Sequence, residues 1–174
     1  MPPAEDYAAL RVLMAPDLPS GLVDHIDRVV SVAQVLARIH GLDERRVLLA
    51  AQGHDILRGL SHDDLIAAAE ARGIEVGEFE RAEPVLLHGP LGALELEARG
   101  WMDDRELLDA IRWHTTGHPD YGAVAWALFL GCEWSAIQRL GSYALSYWVP
   151  EKNVPSLWEG LNDGTIDIVA TDHA

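Results

Sequence analysis

Between Leu22 and Leu140 the apolar residues return every three or four positions, segment after segment, with a glycine near most of the breaks. That period belongs to helices buried on one face. Leu22, Ile26, Val29, Val30, Ala33, Leu36 and Ile39 form the first such stripe, over residues 22–39, and Gly41 follows as a stop. Asp43 opens a second helix through Leu48–Ala51. Ser61 and Asp64 stand as a capping pair ahead of a helix over Leu65–Arg72, which Gly73 ends. Residues 74–84 have no clear period and read as a loop or short turn. His88–Arg99 resumes the helical pattern up to Gly100, and Asp103 or Asp104 caps a further helix that ends near Gly117. Tyr121 to about Leu140 is the most apolar helix. After residue 141 the texture changes. Pro150, Pro155, Gly160 and Gly164 interrupt any long helix, and Thr165–Val169 alternates like one short strand. The expected fold is all-α, with a domain over 1–140 and an irregular tail over 141–174.

Charge narrows the function. The 174-residue chain has 13 Lys+Arg against 28 Asp+Glu, a net charge of −15, and Lys152 is its one lysine. A surface this acidic does not release counterions from a polyanion, so nucleic acid is not an expected partner. A small phosphorylated molecule remains accessible if a metal ion or a few arginines supply local positive charge. No apolar run reaches eighteen residues, so no membrane span is expected. The start, Met-Pro-Pro-Ala-Glu-Asp, carries no basic-then-apolar leader. One cysteine, Cys132, excludes an internal disulfide and any multi-thiolate zinc site. A cytoplasmic location is the expectation that fits.

The chemistry-bearing residues are His25, the pair His54-Asp55, His88 and His114, each in or at the end of an expected helix. Their spacings are 29 residues (25 to 54), 33 (55 to 88) and 26 (88 to 114). Such intervals are too long for a motif on one helix. They suit one ligand from each of several helices packed round a common point. Neutral imidazole with carboxylate suits Fe, Mn, Zn or a similar divalent ion, and such an ion lowers the pKa of a bound water from about 15.7 toward ~7. His40, beside Gly41, and His62, in a cap, read as ordinary surface residues.

The ordered set His25 … His54-Asp55 … His88 … His114 resembles the HD-domain metal-dependent phosphohydrolases. "GHDILRG" (53–59), "LLHGPLGALELEARG" (86–100) and "LLDAIRWHTTGHPD" (107–120) are similar to the YqeK-type members, the symmetrical bis(5′-nucleosyl)-tetraphosphatases, over about residues 20–132. The resemblance implies a helical bundle of about five to seven helices and a divalent metal, iron first, with Mn, Zn, Mg or Co as alternatives. It implies cleavage of diadenosine tetraphosphate to two ADP. By it, His25, His54 and Asp55 are metal ligands, and His88 and His114 are further ligands or phosphate contacts. Asp55, His88 and His114 carry the catalytic roles. Arg58, Arg112 and His118 are candidates for the substrate.

Two positions depart from the family. Its closing aspartate falls eighteen residues after His114, where this chain has Cys132. Cys132 is either a soft ligand or a small buried apolar residue. The family's arginine near 118 is replaced within Thr116-Gly117-His118-Pro119-Asp120. A degenerate protein that binds metal or nucleotide with little turnover is therefore the alternative function. The tail "SLWEGLNDGTIDIVATDHA" (156–174) resembles a stretch of dihydroorotase and related cyclic amidohydrolases, and Asp172 falls where that family has a metal-site acid. About 250 residues are needed for their barrel, so either an unrelated coding segment joins between 131 and 155, or a divergent terminus matches by chance. Exposed Trp148, Leu157 and Trp158 would favour a homo-oligomer.

Overall fold

The computed structural model describes residues 3–118 and 120–140. These lie almost wholly in the first of two compact units, Met1–Ser135, the second being Ala136–Ala174. The expectations for 141–174, including the strand over 165–169, the amidohydrolase-like stretch and the apolar tryptophans, fall outside the described residues.

Among the described residues the fold is all-α, with eight helices and no strand. They are α1 (Tyr7–Met14), α2 (Ser20–His40), α3 (Glu44–Gly53), α4 (His62–Ala71), α5 (Glu78–Ala82), α6 (His88–Ala98), α7 (Arg105–Trp113) and α8 (Ala123–Leu140). Short 3₁₀ turns occupy Ala15–Asp17 and Pro84–Leu87. The caps read from the sequence are in place. The Asp43 side chain accepts from the Arg46 N–H at 3.2 Å, Ser61 from Asp64 at 3.2 Å and Asp104 from Glu106 at 3.1 Å. Each satisfies an otherwise orphaned first-turn donor, worth about 1 kcal/mol. The glycine stops at 41, 73, 100 and 117 all have positive φ, between 63° and 74°.

Two helices exceed the sequence expectation. Within 74–84, residues 78–82 form the single turn α5. At the other end, α1 is capped by Asp6, which accepts from Ala9 at 2.8 Å, and buries Leu10 and Met14 against α3. That stripe is only two residues long, and Val12, at 73% exposure, blurs its period.

One main core holds the bundle. Ile26, Val29, Ala33 and Ala37 of α2, most of α3, Leu96 of α6, and Leu107, Leu108 and Ile111 of α7 meet within it. Val124, Ala127 and Leu128 of α8 join them. A smaller cluster of Leu65, Ala69, Leu87 and Leu91 seats α4 on the turn before α6. Close helix approach is built with small residues. A Cβ at Gly53 would lie 3.0 Å from Leu96 Cδ1 and 3.2 Å from Ile111 Cδ1. Gly131 of α8 lies against the Val29 carbonyl and Ala33 of α2.

Candidate metal centre

Four helix positions deliver histidines to one buried point. His25 comes from the first half of α2, His54 caps the C-terminal end of α3, and Asp55 follows in the next turn. His88 stands where the 3₁₀ turn Pro84–Leu87 gives way to α6, and His114 caps α7. His54, Asp55, His88 and His114 are all buried. His25 keeps 26% of its side chain exposed, so the centre opens toward solvent on its side.

Asp55 is the hub. Its Oδ2 lies 3.3 Å from His25 Nε2 and 3.4 Å from His54 Nε2, which are 3.2 Å apart. Its Oδ1 lies 3.0 Å from His88 Nε2 and 3.5 Å from His114 Nε2, themselves 2.9 Å apart. Two triplets of donor atoms therefore share one carboxylate.

The backbone sets the proton positions. The last carbonyls of a helix have no intrahelical partner. His54 Nδ1–H donates to the Ala51 carbonyl at 2.8 Å, His114 Nδ1–H to Ile111 at 2.6 Å, and His88 Nδ1–H to Val85. Each acceptor lies three residues back, at the end of the helix or turn that the histidine closes. A neutral imidazole with its proton on Nδ1 presents a bare lone pair on Nε2. Three such lone pairs, the His25 ring and a carboxylate thus converge, and Asp55 Oδ2 has no hydrogen-bond partner. Facing lone pairs at 2.9 Å repel unless a cation or proton lies between them. Donors at about 2.0–2.2 Å from one divalent ion lie ~2.9–3.6 Å from each other, and every separation within the two triplets falls in that range. The residues therefore fit a divalent metal.

Electrostatics agree. Burial lowers the pKa of His25 to about 4, aided by the charge of His54, and burial likewise lowers His114 to about 4. Both rings are neutral at pH 7. Burial also opposes charge on His54, but Asp55 and the nearby Cys132 outweigh it and raise its pKa. Burial opposes charge on Asp55 too, yet the positive charge of His54 beside it holds it well below the usual carboxylate value. In the metal-free protein, a proton on His54 therefore supplies positive charge beside Asp55.

A stability prediction follows for the metal-free protein. The unfolded chain protonates His25 and His114 near 6.5, the folded chain near 4. Their contribution to stability is full above about 6.5 and is lost as pH falls toward 4. His54 works the other way, its contribution being full below 6.5 and fading as pH rises through its elevated folded value. Two groups against one make the urea midpoint lower at pH 5 than at pH 7. An unchanged or higher midpoint at pH 5 contradicts this arrangement.

The substrate candidates separate. Arg58 Nε lies 3.7 Å from Asp55 Oδ2, at the edge of the centre. Arg112 makes no hydrogen bond or ion pair with the cluster, and its carbonyl lies against Gly89. His118 stacks on Trp113 with ring centroids 5.4 Å apart and accepts from the Asp120 N–H. It lines a separate cleft of about 470 Å³ with Glu106, Asp109 and Tyr121, an acidic setting unsuited to phosphate. Cys132 packs on the core and also acts on His54, so both readings of it have structural support. Two neighbours escaped the sequence reading. Thr115 Oγ1 lies 3.2 Å from His114 Nε2, and Arg28 sits one turn beyond His25. A hydroxyl next to a histidine carries no sequence signal, whereas Arg28 could have been found at i+3 from His25.

A helical bundle with a four-histidine, one-aspartate centre is the class these features define. The HD domain family model matches residues 22–150, and the chain belongs to that family. Three curated relatives are named "Bis(5'-nucleosyl)-tetraphosphatase, symmetrical". That of Halalkalibacterium halodurans is 28% identical over 68% of this chain, that of Bacillus subtilis 31% over 55%, and that of Staphylococcus aureus 35% over 58%. The matches cover 63%, 50% and 51% of those relatives' own lengths. A crystal structure of a predicted HD superfamily hydrolase involved in NAD metabolism from Clostridium acetobutylicum is similar in fold. Its TM-score is 0.69 at 21% identity, over 91% of this chain and 89% of that one. Among the described residues no helix is long and apolar enough to cross a membrane.

Proposed function

We propose that this protein is a metal-dependent phosphohydrolase acting on a nucleoside polyphosphate, with symmetrical cleavage of diadenosine tetraphosphate to two ADP as its reaction. The observation that carries the reading is the convergence of bare Nε2 lone pairs on both oxygens of the buried Asp55. His25, His54 and Asp55 hold one ion, iron by preference, and His88 and His114 hold a second ion or meet phosphate. Such an ion supplies Lewis-acid charge and an acidified water. The chain's own residues do the rest. The helix-end carbonyls keep the imidazoles in one tautomer, Asp55 balances the charge of the ion, and the buried walls keep bulk water from the reacting phosphate. Arg58 at the rim neutralises phosphate charge in a chain that is otherwise strongly acidic. The shared name of the three relatives supports the choice of substrate. A cytoplasmic setting and action without a nucleic-acid partner belong to the same reading, as does a tail over 141–174 distinct from the HD domain.

Cys132 favours a second reading, in which the protein binds nucleotide but turns it over poorly. It stands beside His54 where the family resemblance places an acid. Purified protein loaded with Fe, Mn or Co should release ADP from diadenosine tetraphosphate, and His54→Ala should abolish that release. Tight nucleotide binding without turnover, together with a gain of about 10–100-fold in Cys132→Asp, would establish the second reading instead.

A further inference from the structure

We infer that Arg28 is a phosphate-binding residue which, with Arg58, grips the phosphate chain of a nucleotide at the open side of the metal centre. The inference rests on the hydrolase reading above and names a residue that recognises its substrate. Among the described residues most arginines have a carboxylate partner, and Arg28, Arg45 and Arg112 are those that do not. Seven of the described arginines pair with an aspartate or glutamate at 2.5–3.3 Å. Arg28 makes no such pair, although Asp24 stands at i−4 on the same helix, where an ion pair commonly forms. Its Nε is buried and has no hydrogen-bond partner. A buried donor that the chain itself leaves unpaired calls for a partner from outside it, a ligand, ion or water.

Its place fits that role. Arg28 follows His25 by three residues on α2, and Arg58 follows Asp55 by three residues after α3. Two ligand-bearing segments thus each send a guanidinium one turn beyond their ligand. His25, one helical turn before Arg28 and so on the same face of α2, is the one histidine of the centre that reaches solvent. A guanidinium presents several N–H groups in a planar fork that matches two phosphate oxygens. A phosphate chain entering past His25 would satisfy the Nε that the protein leaves bare.

The test titrates inorganic pyrophosphate into the metal-loaded protein by calorimetry, with thermal melts of the metal-free protein alongside. Arg28→Met should weaken pyrophosphate binding by about 10–100-fold without lowering the melting temperature, because it removes an unsatisfied donor and keeps the stem. A merely structural arginine predicts the reverse, a lower melting temperature with unchanged affinity, and that result overturns the inference. If Arg28→Met does not fold, Arg28→Lys keeps the charge but loses the fork and should still weaken binding measurably; equal affinity in this variant also overturns it. Should wild-type protein bind pyrophosphate and hydrolyse nucleotide while the variants bind equally well, Arg28 is unassigned and the hydrolase reading stands. Failure of the metal-loaded wild type both to bind and to hydrolyse removes both.

Discussion

Asp55→Ala is expected to leave the purified protein with almost no bound metal. Both oxygens of this one carboxylate are engaged, Oδ2 with His25 and His54, Oδ1 with His88 and His114. Its loss removes a donor from each triplet and, among the described residues, the carboxylate at the hub. Four imidazoles then remain, and a divalent ion gathered by them alone has no charge compensation in a buried site. Hydrolysis should fall by at least about 10³-fold, because water activation and Lewis-acid charge go with the ion. The deletion also removes the larger of the two influences that raise the His54 pKa, leaving Cys132, so burial favours neutral histidines in a metal-free Asp55→Ala protein, which stays folded. Elemental analysis checks the first outcome and circular dichroism the second. Stoichiometric metal retained in Asp55→Ala would refute the shared-carboxylate centre.

Gly89→Ala is expected to do its damage through the backbone. Alanine gains at most roughly 0.8–1.0 kcal/mol over glycine in intrinsic propensity, the value for a helix interior, and Gly89 is only the second residue of α6. Here the added Cβ would lie 2.8 Å from the Arg112 carbonyl oxygen, 3.0 Å from that of Ile111 and 3.3 Å from His114 Nδ1. Two of the three obstacles are main chain and cannot rotate away. Overpacking of this kind costs about 1–3 kcal/mol, so the clash outweighs the propensity. Relief requires α6 to back away from α7, which pulls His88 off His114. Metal affinity should drop by about 10–100-fold, as it does when the support of ligands is disturbed, with a lower denaturation midpoint. Unchanged affinity and midpoint would mean that α6 and α7 do not meet as closely as described.

These two residues also mark what a sequence can and cannot disclose. The meeting of the histidines at Asp55 was legible, because one His or His-Asp from each of several helices suits a common point between packed helices. The helix stops were legible for a local reason, since Gly41, Gly73, Gly100 and Gly117 all adopt the left-handed backbone that ends helices. Gly89 was not legible as a contact, because its reason lies in a carbonyl more than twenty residues away. The helix α1 was missed because two buried residues, Leu10 and Met14, make too short a stripe. Arg112 and His118 illustrate the opposite difficulty. Both stand near His114 in sequence, but a helix and its following turn point neighbours in different directions. His118 consequently stacks on Trp113, in an acidic cleft.

The hydrogen bonds from three histidines to helix-end carbonyls reach beyond tautomer choice. Ring orientation at residues 54, 88 and 114 is fixed during folding, so the rotamer entropy of those side chains is spent before any ion arrives. Capture then asks for little further ordering, which favours quick, tight association and penalises ions whose size or angular demands differ from the preformed cage.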